Sequence, residues 1–171
     1  MGILICGLNG CGKSTLGRLL AERLGYRFID NEDLFFPKDD PSYLYSAPRS
    51  KEEVVRHLEE LIEKDRRFVF AAVKGDYGDK LPDFLEHVVL IEVPKEVRGR
   101  RVRDRSYQKF GDRVLPGGDL YETEQNWYAL TDSRPDDYVT QWLDTLSCPV
   151  IHIDGTLPVE ENLSRLLTLL A

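Results

Sequence analysis

The stretch GLNGCGKST, Gly7 to Thr15, constrains the fold more than any other part of this chain. Three glycines, one lysine and two hydroxyl residues stand between two apolar segments. On the amino-terminal side, Ile3-Leu4-Ile5-Cys6 is a short continuous apolar run, the pattern of a strand buried on both faces. On the other side, Leu16, Leu19, Leu20 and Leu24 recur at helical spacing, and Gly25 supplies a stop. The order is therefore strand, glycine loop, helix. In that setting the spacing G-x-x-x-x-G-K-[ST] has a direct physical meaning. Glycines let the backbone curl until successive N–H groups face one point, which suits phosphate oxygens. The following helix adds its unpaired amino-terminal donors and the positive end of its dipole.

Gly7, Asn9, Gly10, Cys11, Gly12, Lys13, Ser14 and Thr15 thus read as a nucleotide-binding loop. Lys13 is placed to reach the β- and γ-phosphates, and the Ser14 hydroxyl to ligate Mg²⁺. Thr15 supports the α-phosphate. Cys11 is expected to turn its side chain away from phosphate.

The remaining sequence sets the scale. With 171 residues, the chain suffices for one domain, 1–171, with a sizeable core. A net charge of −7 argues against a surface that coats nucleic acid. Cys6, Cys11 and Cys148 cannot build a disulfide framework and share no metal-ligand spacing. No apolar run reaches membrane-spanning length and no cleavable signal pattern opens the chain. A cytoplasmic protein without a membrane partner, a monomer or homodimer, is expected.

Strands are expected at Tyr26 to Asp30 and in RFVFAAV, HVVLIEV and PVIHI. A loop is expected from Asn31 to about Arg49. Ser50 and Glu53 form a capping-box pattern ahead of an amphipathic helix. Further helices are expected from Pro94, over Leu120 to Leu130 and Pro135 to Leu146, and in PVEENLSRLLTLL. Five short strands alternating with helices argue for α/β architecture, a parallel sheet with helices on both faces.

Layout and loop together resemble the small P-loop kinases, the group that contains nucleoside monophosphate kinases, shikimate kinase and gluconate kinase. The resemblance implies a three-layer P-loop NTPase fold whose five-stranded parallel sheet has the order 2-3-1-4-5. It implies ATP–Mg²⁺ at the loop, an acceptor region at about 31–66 and an arginine-bearing lid at about 106–119. The segment FIDNEDLFFP is similar to the shikimate kinase strand that ends in two acids one residue apart, which gives Asp30 and Glu32 those places. Asp33 matches a further acid of gluconate kinases. Carboxylates at the carboxyl end of a parallel strand lie in the ligand crevice. There Asp30 is expected to hold the Mg²⁺ water shell or to orient the acceptor hydroxyl; a solvated turn is the alternative.

The segment AAVKGDYGDKL is similar to a gluconate kinase pattern, and Lys74 is expected either to neutralise an acceptor anion or to sit in a charged surface loop. Arg49 and Arg56 are the arginines near the acceptor region, and arginine suits bidentate binding of carboxylate or phosphate. Phe35, Phe36, Tyr43 and Tyr45 either stack on a base or pack the loop down. In RGRRVRDRS, Arg101 and Arg105 match an arginine pair spaced four apart that leads into the lid and stabilises charge on the transferring phosphoryl group. Six arginines between Arg98 and Arg113 repel one another without phosphate, so a lid that is open or disordered is expected in the protein without both substrates. Trp127 and Trp142 read as packing residues. VIHIDGTLPVEE resembles the strand-loop-helix beside adenine in adenylate kinase-like folds, which puts Asp154, Gly155 and Thr156 near the base. The function implied is transfer of the γ-phosphoryl group of ATP–Mg²⁺ to a small-molecule or nucleotide acceptor. A P-loop NTP hydrolase and a nucleotide-binding module are the alternatives, although the N-K-x-D and D-x-x-G patterns of GTPases are absent.

Overall fold

Ile3, Leu4, Ile5 and Cys6 are completely enclosed, as a strand covered on both faces must be. They belong to β1 (Gly2–Cys6), the centre of the sheet. The computed structural model describes residues 1–170. Along the chain, β1 is followed by α1 (Lys13–Leu24), β2 (Arg27–Asp30), α2 (Asn31–Phe35), α3 (Lys51–Lys64), β3 (Phe68–Ala71), α4 (Leu81–Phe84) and β4 (Leu85–Glu92). Then come α5 (Lys95–Phe110), a 3₁₀ turn (Gly111–Val114), α6 (Tyr121–Ser133), a second 3₁₀ turn (Asp136–Tyr138), α7 (Thr140–Leu143), β5 (Val150–Asp154) and α8 (Val159–Leu169).

The five strands form one sheet in the order β2-β3-β1-β4-β5, every neighbouring pair parallel. Alternation along β1 divides the core. Leu4 and Cys6 face a layer built on Val54, Leu58 and Ile62 of α3 with Leu143 of α7. Ile3 and Ile5 face Leu16, Leu20 and Ala21 of α1 with Leu163 and Leu166 of α8. The result is helix, sheet, helix. Because the chain leaves β1 toward β2 on one side and reaches β4 on the other, the strand order switches beside β1, where open α/β sheets bind ligands.

Local chemistry sets the boundaries. Ser50 Oγ accepts the Glu53 N–H at 3.2 Å while Glu53 accepts the Ser50 N–H at 2.9 Å, so the capping box of α3 forms as expected. The loop expected directly after β2 is instead the short helix α2, because the Asp30 carboxylate accepts the Glu32 N–H at 2.9 Å and caps it. The helix expected over Pro135 to Leu146 is divided into a 3₁₀ turn and α7. The short helix α4 has no counterpart in the sequence reading. Among the described residues, no helix is long and apolar enough to cross a membrane.

Leu58 is fully buried on α3, away from the glycine loop. Leu58→Ala is expected to lower stability by about 2–5 kcal/mol, the usual cost of a buried cavity. Urea denaturation checks this, and a loss under about 1 kcal/mol would mean that α3 is not packed as described.

Candidate active site

The glycine loop holds a backbone that side chains resist. Gly7, Gly10 and Gly12 have φ of 143°, 83° and 98°. At Gly10 a Cβ would also collide with the Arg98 carbonyl oxygen at the start of α5. Gly12 is the N-cap of α1, and α1 has neither a side-chain cap nor an acidic residue in its first turn. Its leading N–H groups are therefore left for an external anion. The Gly7 N–H donates to Val73 O at 3.1 Å and ties the loop to the segment that follows β3. Lys13 Nζ bends back to donate to Leu8 O at 3.2 Å. Cys11 is buried with its side chain in the core. Arg134, which follows α6, donates to the Asn9 amide oxygen and packs over the Tyr138 ring.

A cleft of about 520 Å³ opens from this loop. Lys13, Ser14, Asp30, Asn31, Glu32 and Arg105 all line it. Asp30 enters at the carboxyl end of β2, and its capping bond to Glu32 fixes its orientation. Burial pushes the Glu32 carboxyl up, but the cations Lys109, Lys38 and Arg105 outweigh it and hold the group below its ordinary value. Lys38 and Lys109 lie 3.3 and 3.4 Å away. Asn31 accepts from the Tyr77 hydroxyl. One wall is aromatic: Tyr45 lies edge-on to Phe36 with ring centres 5.0 Å apart, and Tyr43 meets Phe110 at 5.5 Å. Trp127 and the buried Glu124 complete the lining from α6.

A separate groove of about 290 Å³ lies on the other side of the loop, lined by Gly12, Thr15, Arg101, Gly155 and Asn162 among others. Arg101 donates to Gly155 O at 3.1 Å. Gly155 is crowded by Ile91, Val93 and the Cys11 carbonyl, which leaves no room for a Cβ. Asn162 is buried and donates to Asp154 O at 2.8 Å, while its own Oδ1 has no partner.

Residues 3–125 match the family described as the AAA domain. YqaC of Bacillus subtilis (strain 168), an uncharacterised protein, is 29% identical over 181 residues, spanning 99% of this chain and 97% of that protein. The shikimate kinase of Persephonella marina (strain DSM 14350 / EX-H1) is 42% identical over 144 residues, 77% of this chain and 86% of the kinase. Among solved structures, a gluconokinase from Sinorhizobium meliloti 1021 superposes with a TM-score of 0.53 at 20% identity, over 99% of this chain and 94% of the other, a likeness of fold.

The chain belongs to the small P-loop kinases. In this small P-loop kinase, several residues expected at the acceptor stand elsewhere. Asp33 faces outward, paired with Lys38. The Arg49 guanidinium donates to Asp33 O and Leu34 O, where it staples the chain after α2. Arg56 is exposed on α3. Lys74 turns to Asp76 at 3.3 Å and to the Tyr138 ring, so its charge is spent locally. Arg101 and Arg105 diverge: one turn of α5 separates them, and Arg105 reaches the cleft while Arg101 faces the other groove. Asp154 and Thr156 line a different cavity from Gly155. The Asp154 carboxylate is occupied by the Thr156 N–H and hydroxyl, at 2.8 and 2.6 Å.

The segment 106–119 is folded down. Ser106 to Phe110 continue α5, and Arg113 binds Asp119 at 2.7 Å and Ser42 O at 2.8 Å. The expected mutual repulsion is quenched by pairing, since Arg98 meets Asp136 at 3.6 Å and Arg103 meets Asp132 at 2.7 Å. Trp127, read as a packing residue, lines the cleft instead. Asn31, Ser106, Lys109, Glu124 and Arg134 were not anticipated. The Asn31 position, enclosed by acids in FIDNEDLFFP, carried the one local signal for any of them.

Gly10→Ala is expected to weaken pyrophosphate binding by at least tenfold, because αL strain and the collision with Arg98 O both open the loop. Calorimetric titration with pyrophosphate measures it. Unchanged affinity would show that the loop tolerates another backbone path.

Proposed function

We propose that this kinase transfers the γ-phosphoryl group of ATP–Mg²⁺ to a hydroxyl group of a small molecule or nucleotide held in the aromatic-walled cleft. The observation that carries the reading is that Lys13, Ser14, Asp30 and Arg105 line one cleft at the mouth of the glycine loop. The second groove, bordered by Gly12, Thr15 and Asn162 beside the loop, is the space this reading gives to the nucleotide base. Arg101 and Gly155 flank the same space. For the metal, Ser14 and Asp30 fit a cation that keeps most of its water and phosphate ligands. When bound, Mg²⁺ would neutralise charge developing on the phosphate oxygens.

The chain's own residues divide the remaining work. Main-chain N–H groups of the loop and α1 hold the phosphates. Lys13, freed from Leu8 O by the stronger anion, follows the β- and γ-oxygens. Arg105 meets charge on the transferring group from the acceptor side. Asp30 has one oxygen fixed by its capping bond, which leaves the other to orient the acceptor hydroxyl and take its proton. Segment 106–119 covers the cleft and excludes water, which favours transfer over hydrolysis. The names of the relatives point toward hydroxylated carboxylic acids as acceptors. However, Arg49, Arg56 and Lys74, the cations expected to receive a carboxylate, are turned away from the cleft.

Asp30→Asn keeps a capping side chain but removes the base. Turnover on the acceptor is expected to fall by about 10²-fold or more, with ATP affinity changed far less. Lys13→Ala is expected to abolish transfer while the melting temperature stays near that of wild type. A coupled assay across an acceptor collection checks both. A D30N protein with wild-type turnover would remove Asp30 from the mechanism, and an active K13A protein would remove the loop from it.

A further inference from the structure

The charges in the cleft do not cancel once phosphoryl transfer has taken its share. Lys13 and Arg105 face the triphosphate in the reading above. Glu32 is met by two ammonium groups, Lys38 at 3.3 Å and Lys109 at 3.4 Å, and Asp30 is assigned to the metal and the acceptor hydroxyl. One carboxylate then remains without a cation: Glu124, in the first turns of α6, only 2% exposed and yet part of the cleft lining. Among the described residues its polar partners are two hydroxyls. Ser106 donates to Oε2 at 2.6 Å and Tyr43 to Oε1 at 3.0 Å. Each carboxylate oxygen has two lone pairs, so each keeps one for a further donor. A buried carboxylate with spare lone pairs and no counter-charge gains most from N–H or ammonium donors. Beside it, Phe36, Tyr45, Phe110 and Trp127 give the cleft flat apolar walls that suit a planar ring. An acceptor carrying its own carboxylate would place like charges together in a site of low polarity, which is costly.

We propose that Glu124 selects the acceptor, and that the acceptor is a flat, uncharged or cationic ring compound that presents N–H or ammonium donors to Glu124 and a hydroxyl toward Asp30. The hydroxyl half rests on the phosphotransfer reading; recognition by Glu124 does not. Tyr43 and Ser106 position the carboxylate, one from the loop before α3 and one from α5, so a donor bound at Glu124 also reports to the segment that covers the cleft.

Calorimetry without turnover tests recognition separately from chemistry. Cytidine, adenosine and pyridoxamine serve as donor-bearing rings, and shikimate and gluconate as hydroxylated carboxylates. Each is titrated with and without a nonhydrolysable ATP analogue and Mg²⁺. At least one ring compound is expected to bind tenfold or more tightly than either carboxylate. Glu124→Gln is expected to weaken that ring compound by about tenfold, the effect of losing a hydrogen bond to a charged group, and to leave the ATP analogue within about twofold. If Glu124→Gln does not fold, Ser106→Ala decides. It removes one of the two hydroxyls that orient the carboxylate and is expected to weaken the ring compound several-fold while the ATP analogue stays within about twofold; unchanged ring affinity, or an equal loss for the ATP analogue, overturns the proposal. Tighter binding of a carboxylate, no binding of any ring, or equal ring affinity in wild type and Glu124→Gln overturns the proposal.

Discussion

Everything in this site depends on aiming several main-chain N–H groups at one point without a side chain in the way. The backbone of Gly7, Gly10 and Gly12 accepts positive φ for that purpose. The same loop is pressed against the Ile91 and Arg98 carbonyls, where a Cβ would collide. The loop keeps this shape because both ends are anchored. β1 enters it from the middle of the sheet, enclosed on both faces, and α1 leaves it with Leu16, Leu20 and Ala21 buried. The parallel sheet then brings the ends of β2 and β3 alongside, so Asp30 and Ala71 border the cleft that the loop opens into.

Electrostatics organises the space above the loop. The two arginines that a single sequence pattern pairs are spread by the pitch of α5 over two compartments, with Arg105 in the cleft and Arg101 in the groove beside Gly155. Other cations are neutralised nearby, Arg103 by Asp132 and Arg113 by Asp119. Exposed pairs of this kind add little stability. Their consequence here is distribution: Arg103 and Arg113 are paired outside the cleft, whose lining carries Lys13, Arg105 and Lys109 among carboxylates and aromatic rings.

How much of this was legible in the sequence follows from how local each feature is. The apolar run Ile3 to Cys6, the glycine loop and the Ser50–Glu53 capping box are written in consecutive residues, and all three form as read. Asp30 was legible as a strand-end carboxylate, but its capping of α2 was not, because Asn31 and Glu32 read equally well as turn residues. Arg49 and Lys74 show the limit more sharply. Their charge pointed to an anion, yet Leu34 O and Asp76 lie nearer than any acceptor and take the side chains. Glu124, Ser106 and Tyr43 come from three segments far apart in the chain and meet only through tertiary packing. No spacing rule reaches such a cluster.

The central claim is that main-chain N–H groups of the glycine loop and the start of α1 bind the phosphates of a nucleotide. Amide hydrogen exchange of the whole protein, with and without ATP–Mg²⁺, addresses those groups directly. The account predicts that amides within Gly10 to Thr15 exchange at least about tenfold more slowly with nucleotide, equivalent to about 1.4 kcal/mol of added protection, while those of α3 change little. Unchanged exchange across Gly10 to Thr15 at saturating nucleotide would contradict it.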